Sequence, residues 1–382
     1  MTIAEQAVDT DEVREIENGT NPERFARGWH CLGLADSFRD GKPHGIHVFG
    51  GKLVIWADSA GKLNVLDSYC RHMGGDLSQG SVEGDEVACP FHDWRWGGNG
   101  RCKAVPYAKR VPPLAKTQSW KTMERNGQLF VWNDPEGGAP EDYIPAIEGF
   151  EEGEWTAWNW NSVKIENTHC RELVDNVVDM AHFFYVHLNQ PLHFRNIFED
   201  QVATQEMSFK PRADMAGKDF VNFGEDSVTQ SYASYYGPAY MINRLEGQDG
   251  LDVVLINCHY PVSSDSFVLL YGVMVKRTPG MSLEEADALA AQFGEGTLKT
   301  FEQDIEIWKT KARIDNPLLC EDDGPVYQLR RWYEQFYVDR ADIRDDMIRR
   351  FEFDVDVTKA NEYWDAEVAR NVELAAAAAA QS

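Results

Sequence analysis

The chain has 382 residues, enough for two or three domains whose cores need no stapling. Its 63 acidic against 37 basic residues give a formal net charge of −26, which excludes the basic footprint that nucleic-acid binding requires. Such a charge fits a cytoplasmic protein whose field steers charged partner proteins, and equally one that carries charge only for solubility.

Residues 1–20 are acidic and polar, with no basic or apolar signal region, and no apolar run reaches the ~18 residues of a membrane span. Seven scattered cysteines (Cys31, Cys70, Cys89, Cys102, Cys170, Cys258, Cys320) are an odd set and do not read as a disulfide framework; a reducing compartment fits them better. Twelve tryptophans point first to core packing and second to an aromatic-lined site for an apolar ligand.

After an acidic tail, residues 1–23, short strands and glycine turns run from Arg24 to Trp132, with strands expected around Gly45–Gly51, Lys52–Ala57, Lys62–Asp67 and Gln128–Trp132. This is a small all-β domain, placed at residues 24–136. Asn133–Pro145, rich in Pro, Gly and acid, reads as a linker. Residues 137–382 then form an α+β domain. Glu172–Leu188 reads as one helix, with Leu173, Val177, Met180 and Phe184 at helical spacing. Strands are expected at Ser227–Ala233, Val253–Tyr260 and Ser266–Lys276, making an antiparallel sheet flanked by helices. After Pro279, Ser282-Leu-Glu-Glu285 is a capping box opening one helix. A second is expected at Glu295–Arg313, then others at Tyr327–Tyr337 and Ala341–Phe351. The alanine run Ala375–Ala380 is low-complexity.

Two loops between strand signals carry Cys70-Arg-His72 and, sixteen residues on, Cys89-Pro-Phe-His92. Two facing loops of this kind present four metal ligands. Tetrahedral zinc and a Rieske [2Fe–2S] cluster both use two Cys and two His. Zinc sites usually open with C-x-x-C, whereas C-x-H…C-x-x-H resembles the Rieske pattern closely. Gly74 and Gly75 let backbone approach the cluster sulfurs, and Phe91 and Trp94 are placed to shield it. Respiratory Rieske proteins carry an extra cysteine pair at positions occupied here by Gly75 and Phe91, so the resemblance is to the branch of soluble oxygenases and ferredoxins.

A Rieske ferredoxin would end near residue 130, leaving about 250 residues for another task. Asp175-Asn-Val-Val-Asp179-Met-Ala-His182 runs on to His187. Asp179 and His182, three apart, share a helix face. His182 and His187 lie about 140° apart on an ideal helix, so both reach one metal only if the helix ends or distorts near Tyr185. On Glu295–Arg313, Phe301, Asp304, Ile305 and Trp308 form one stripe, with Glu302, Gln303 and Glu306 opposite. An acid within an apolar stripe is costly unless it is paired or binds metal, so Asp304 is either a ligand or half of a buried salt bridge. Phe301 and Trp308 flank it by one turn each and are expected to line a pocket, with Asn257 as a polar group nearby. The remaining histidines, His30, His44, His47, His169, His193 and His259, have no partner at a telling spacing.

These motifs, with Arg24-Phe-Ala-Arg-Gly-Trp-His30 and the Arg171–His187 segment, resemble the Rieske non-haem iron oxygenases nearly throughout the chain. Within them the chain is most similar to the oxygenase components of the 3-ketosteroid 9α-hydroxylases. It departs in Asp93, where Gly is commoner, and in Asp175, where Glu is. The resemblance implies a [2Fe–2S] cluster on Cys70, His72, Cys89 and His92, and a mononuclear Fe(II) on His182, His187 and Asp304. Asp179 would carry electrons between them, bonded to His182 in its own chain and to a cluster histidine of a neighbouring subunit in a homotrimer. It implies C9 hydroxylation of a 3-ketosteroid in sterol (cholesterol) catabolism, with dioxygen as co-substrate. Electrons would come from a separate NADH-dependent flavin and iron–sulfur reductase, since no phosphate-binding glycine fingerprint is present: Gly97-Gly-Asn-Gly100 lies in the cluster loop. The rivals are another oxygenase chemistry (aromatic-ring hydroxylation or oxidative demethylation), an electron carrier with a docking domain, and a zinc-stabilised binding protein. Iron analysis with EPR separates them: three irons per chain are expected, two would indicate a carrier, and a colourless protein would indicate zinc.

Overall fold

Runs of Val, Ile, Leu and Trp bounded by glycine turns favour half-buried strands, and the N-terminal third is built from them. The computed structural model describes residues 13–215, 227–247, 250–278 and 280–380. The first twelve residues of the acidic tail and Pro279 lie outside the described residues. Between Gly28 and Asn133, ten short strands form three small antiparallel sheets, with only two 3-10 turns among them. The strands His44–Val48, Gly51–Ala57, Leu63–Asp67 and Gln128–Asn133 match the expected ones within three residues.

The second half is built on an eight-stranded antiparallel sheet. Its spatial order is Asn159–Glu166, Ser266–Val275, Asp252–Ser263, Tyr240–Glu246, Thr229–Tyr236, Val202–Pro211, Asn189–Glu199 and Phe351–Asp354. Four of these strands were not anticipated at all in the Asn159–Glu246 stretch. In Val202–Pro211 the alternation is regular, but Gln205 occupies a buried position and hides the pattern. It is buried because its amide donates to the Val177 carbonyl at 2.8 Å. A long helix, Leu283–Thr310, packs on the strands Ser266–Val275 and Asn159–Glu166. The expected capping box is formed, with Ser282 accepting from the Glu285 N–H and Glu285 from the Ser282 N–H. The two helices expected from Ser282 to Arg313 are one, ending at Thr310. Gly294 does not interrupt it; a Cβ there would come within 2.5 Å of Asn159 Oδ1, so glycine permits the close helix–strand approach.

Ala341–Phe351 is not a helix. It forms a 3-10 turn, a four-residue helix and then the strand Phe351–Asp354, which completes the sheet edge beside Asn189–Glu199. Pairing and the stacking of Phe351 on Phe198 override its helical composition. The Asn133–Pro145 linker is irregular but anchored: Tyr143 accepts the Trp29 N–H at 2.9 Å, and Arg340 reaches Asp134 and Glu141 at 3.1 and 2.7 Å. The alanine run forms the last turns of a C-terminal helix, Thr358–Ala379. One continuous core joins the two halves, with Trp29, Cys31 and Phe130 packed among Tyr240, Ile256 and Cys258. Among the described residues no helix is long and apolar enough to cross a membrane.

The expected helix over Glu172–Leu188 is broken into Arg171–Val174, a 3-10 turn over Asp175–Val178, and Met180–Tyr185. The first piece is tied to the loop after the long helix by buried charge. Glu172 meets Lys311 at 2.9 Å and Arg313 at 2.8 Å, and Asp175 meets Arg330 at 2.7 Å. Burial raises the Glu172 pKa, but Lys311 and Arg313 outweigh it and hold the group below the ordinary value of 4.5. A depressed carboxylate contributes stability above its unfolded pKa and loses it as pH falls, so this contribution disappears on acidification below about 4.5. Glu172→Ala, which removes the most buried partner of Arg313 and leaves it Asp315 at 2.6 Å and Asp175 at 3.7 Å, is expected to cost about 1.5–3 kcal/mol at neutral pH in denaturant unfolding.

Candidate metal centres

The two cysteine–histidine loops each close on themselves. The Cys70 N–H donates to the Gly75 carbonyl at 2.8 Å and the Gly74 N–H to the Cys70 carbonyl at 2.9 Å. In the second loop the Cys89 N–H donates to the Trp94 carbonyl at 2.9 Å and the Asp93 N–H to the Cys89 carbonyl at 3.0 Å. Asp93 has φ +52°, a conformation in which glycine is unstrained, and this explains why glycine is the commoner residue there. Its carboxylate pairs with Arg95 at 3.2 Å. Asp76 ties the first loop to the sheet, accepting from Ser68 Oγ at 2.6 Å and from Lys52 Nζ at 2.6 Å. Burial raises its pKa, but Lys52 and Ser68 outweigh that and bring it down to about 2. The sequence reading missed both Asp76 and Lys52, whose contact spans 24 positions.

The donor set suits an iron–sulfur cluster. Cys70 and Cys89 are buried, and burial pushes the Cys70 thiol up, so a thiolate there needs a cationic partner. His72 Nδ1 is buried without a hydrogen-bond partner. The His72 and His92 rings meet edge-on at 4.7 Å, and Trp94 stacks on His72 at 4.6 Å with its indole N–H on Tyr107. Phe91, largely exposed, covers His92 from outside at 3.8 Å. A Cβ on Gly75 would stand 2.6 Å from Cys89 Sγ, so a side chain there would fill the space beside the thiol. Among the described residues the four side chains do not form a group close enough to share one ion, which tetrahedral zinc would require.

The second centre does gather on one point: His182, His187 and Asp304 bring ligand atoms within 4.8 Å of one another. Asp179 sits at φ −90°, ψ 88°, outside the helix, and caps Met180–Tyr185 by accepting the His182 backbone N–H at 3.2 Å. It therefore does not share a helix face with His182, as the spacing suggested. The helix stops at Tyr185, and Leu188 turns the chain with φ +57°. The two rings consequently meet at 4.7 Å, and His187 Nε2 lies 3.4 Å from Asp304.

Hydrogen bonds select the tautomers. His182 Nδ1 is 2.6 Å from the Asp179 carbonyl but 4.0 Å from its carboxylate, so the backbone, and not the carboxylate as expected, takes the ring proton. His187 Nδ1 faces Gln303 Oε1 at 3.4 Å. Donation from each Nδ1 leaves both Nε2 atoms free as ligands. Burial, with His187 next, pushes the His182 pKa down and keeps the ring neutral. Gln303, assigned to the solvated face of its helix, is half-buried against His187 instead. Asp304 is 5% exposed, while the Asp179 side chain remains 54% exposed.

The triad borders a cavity between the long helix and the sheet, walled by Phe293, Phe301, Met207, Leu245 and Leu255. Asn257 reaches it with an amide oxygen that has no partner, and Asn243 and Asn176 also line it. Trp308 does not. Its ring packs away from the cavity with Ile165, Leu173 and Phe267, because one turn beyond Asp304 the stripe rolls onto the sheet. None of the twelve tryptophans, all of them described, lines this cavity; they pack elsewhere, and phenylalanines with Tyr235 supply its aromatic surface.

Comparison with known proteins follows the same division. The Rieske [2Fe-2S] domain profile matches residues 28–120, and that of the 3-ketosteroid 9α-hydroxylase C-terminal domain matches residues 131–337. The oxygenase component of 3-ketosteroid-9-alpha-monooxygenase from Rhodococcus rhodochrous is 60% identical over 95% of this chain and 96% of its own. A protein of the same description from Mycobacterium tuberculosis is 56% identical over 94% of each chain. The solved structure of dicamba monooxygenase with non-haem iron and dicamba has a TM-score of 0.60 at 17% identity, covering 82% of this chain and 98% of that one, and so shares the fold.

Gly75→Ala is expected to abolish the cluster while leaving the mononuclear site, taking iron from three atoms per chain to one and bleaching the visible absorption.

Proposed function

The chain belongs to the Rieske-type oxygenase components of the 3-ketosteroid 9α-monooxygenases, and on that footing we propose that it hydroxylates a 3-ketosteroid at C9 in sterol catabolism. The balanced reaction takes the C9–H bond, dioxygen, two electrons and two protons to C9–OH and water. One observation carries the reading: a His182–His187–Asp304 triad, with His187 and Asp304 buried, opens onto a largely apolar cavity.

In this reading Cys70, His72, Cys89 and His92 hold the cluster, and His182, His187 and Asp304 hold the iron. When bound, the cluster supplies single electrons and the iron an open position for reducing dioxygen. The chain's own residues do the rest. Two imidazoles and one carboxylate leave one face of the site toward the cavity, and Phe183 and Phe301 keep bulk water from it. A flat apolar molecule fits between Phe293, Phe301, Met207 and Leu255, with the Asn257 amide offering a hydrogen bond to a ring oxygen.

The exposed Asp179 carboxylate suits a contact outside its own chain, to a cluster histidine of a neighbouring subunit in a homotrimer. Its backbone carbonyl already holds the His182 ring, so the carboxylate, which among the described residues accepts only the His182 backbone N–H through Oδ1, keeps its second oxygen for that contact. Exposed Tyr69, Met73 and Phe91 around the cluster loops supply the apolar surface such a contact would cover. Electrons enter from a separate reductase, here taken as an NADH-dependent flavin and iron–sulfur protein, in the cytoplasm.

Oxygen uptake and product analysis on a panel test this: a 3-ketosteroid, its 3-hydroxy counterpart and a small aromatic acid. Coupled 9-hydroxylation of the 3-ketosteroid is expected, and comparable turnover of the aromatic acid would overturn the steroid assignment. Asp179→Asn is expected to keep both iron signals and the oligomer while lowering coupled turnover at least ~100-fold; near-normal turnover would remove the electron-transfer role.

A further inference from the structure

Met180–Tyr185 is a six-residue helix that must hold His182 and His187 against Asp304, and a helix this short does not sustain itself. Its support comes from far along the chain. Phe184, fully buried on the side of the helix away from the cavity, is stacked by Trp364 of the C-terminal helix at 4.5 Å and 7°. The Arg212 guanidinium lies over the same ring at 4.0 Å, so the two occupy its two faces. Arg212 Nη1 also donates to the Phe184 carbonyl at 3.2 Å, capping the helix C-terminus, and its backbone N–H donates to the Leu188 carbonyl at 3.1 Å.

Arg212 is only 5% exposed and is itself held by Asp214, whose two oxygens accept from Nε at 3.0 Å and Nη2 at 2.7 Å. The C-terminal helix closes this arrangement. Asn371 donates to Asp214 at 2.8 Å, Glu367 approaches Arg212 at 3.4 Å, and the Trp364 indole N–H donates to Tyr185 OH at 3.3 Å. On the other side of His187, Gln190 donates to Asn361 at 2.6 Å and Asp365 at 2.9 Å, and Asn361 donates to the Pro191 carbonyl at 3.0 Å. The helix thus grips the chain on both sides of His187, through side chains before it and through the Gln190 amide and the Pro191 carbonyl after it. Arg212, Asp214 and Trp364 are absent from the cavity lining, so they have no part in holding substrate. A buried arginine–carboxylate pair is seldom more stabilising than apolar packing of equal volume, but it imposes a direction that apolar packing does not.

We propose that the C-terminal helix assembles the mononuclear iron site, with Arg212 and Trp364 as positioning residues acting through Phe184. The proposal rests on the reading of His182, His187 and Asp304 as the ligands. Loss of the clamp frees the Tyr185–Leu188 turn, and His187 then samples orientations that no longer converge with His182 and Asp304. The cluster, on separate loops, is untouched and serves as an internal reference.

The test uses the full chain, stripped of mononuclear iron by a chelator and titrated anaerobically with Fe(II), with cluster absorption and thermal unfolding followed in parallel. Trp364→Ala and Arg212→Met are expected to weaken Fe(II) binding about tenfold or more, as supporting contacts around metal ligands do, with the cluster spectrum unchanged. Trp364→Phe, which keeps the stack, is expected to restore most of the affinity, and Asn371→Ala to give a smaller loss. Wild-type affinity in Trp364→Ala would overturn the proposal, as would iron and cluster lost in equal proportion. Unaltered chain that binds no Fe(II) would instead remove the ligand reading. Should Arg212→Met fail to fold, the Trp364 pair and Asn371→Ala still decide the matter.

Discussion

Two histidines five positions apart on a regular helix point about 140° away from each other and have no common ligand. Here the helix is interrupted before the first and terminated before the second. Asp179 withdraws from the helix to cap it, and the turn through Leu188 brings His187 round so that both rings face Asp304. The cavity, the tautomers and the buried charge network around it all follow from that interruption. A continuous helix would leave Asp304 buried without a partner, at the cost of an isolated ion in an apolar stripe.

The interruption has to be supported, because broken helices and left-handed turns are intrinsically weak. On one side Glu172 and Asp175 anchor the first piece to Lys311, Arg313 and Arg330, cations that follow the Asp304 helix in the chain. Asp304 and the two histidines are thereby held in a fixed relation by ion pairs that lie outside the site itself. On the other side aromatic stacking on Phe184 holds the second piece. The first centre uses a different device: self-closed loops pinned by Asp76, in which Gly75 leaves room beside Cys89. Local backbone bonds suffice there because both ligands of a pair lie within four residues.

The Asp179 carbonyl and carboxylate divide two tasks that spacing alone assigned to one group. The carbonyl orients the His182 ring and the carboxylate caps the helix while remaining exposed. This division frees the carboxylate from the imidazole within its own chain. All three candidate ligands of this centre thus come from one chain, while the Asp179 carboxylate is exposed.

Much of the site is legible in the sequence. Ligand spacing named the cluster loops because a C-x-H or C-x-x-H pair is local, and the structure brings His182, His187 and Asp304 together as the stripe containing Asp304 implied. The need for a helix end near Tyr185 also followed from the 100° step per residue. What the sequence could not express were contacts between residues far apart in the chain. Gln303 on His187, Lys52 on Asp76 and Trp364 on Phe184 are separated by 116, 24 and 180 positions, and no periodicity records them. Trp308 and Ala341–Phe351 were misread for the same reason: helix rotation against the sheet and edge-strand pairing are decided by packing, not by local pattern. The chain by itself determined which atoms can bind metal. Only the tertiary structure decided which way they point, because ligand orientation depends on long-range contacts that local spacing does not encode.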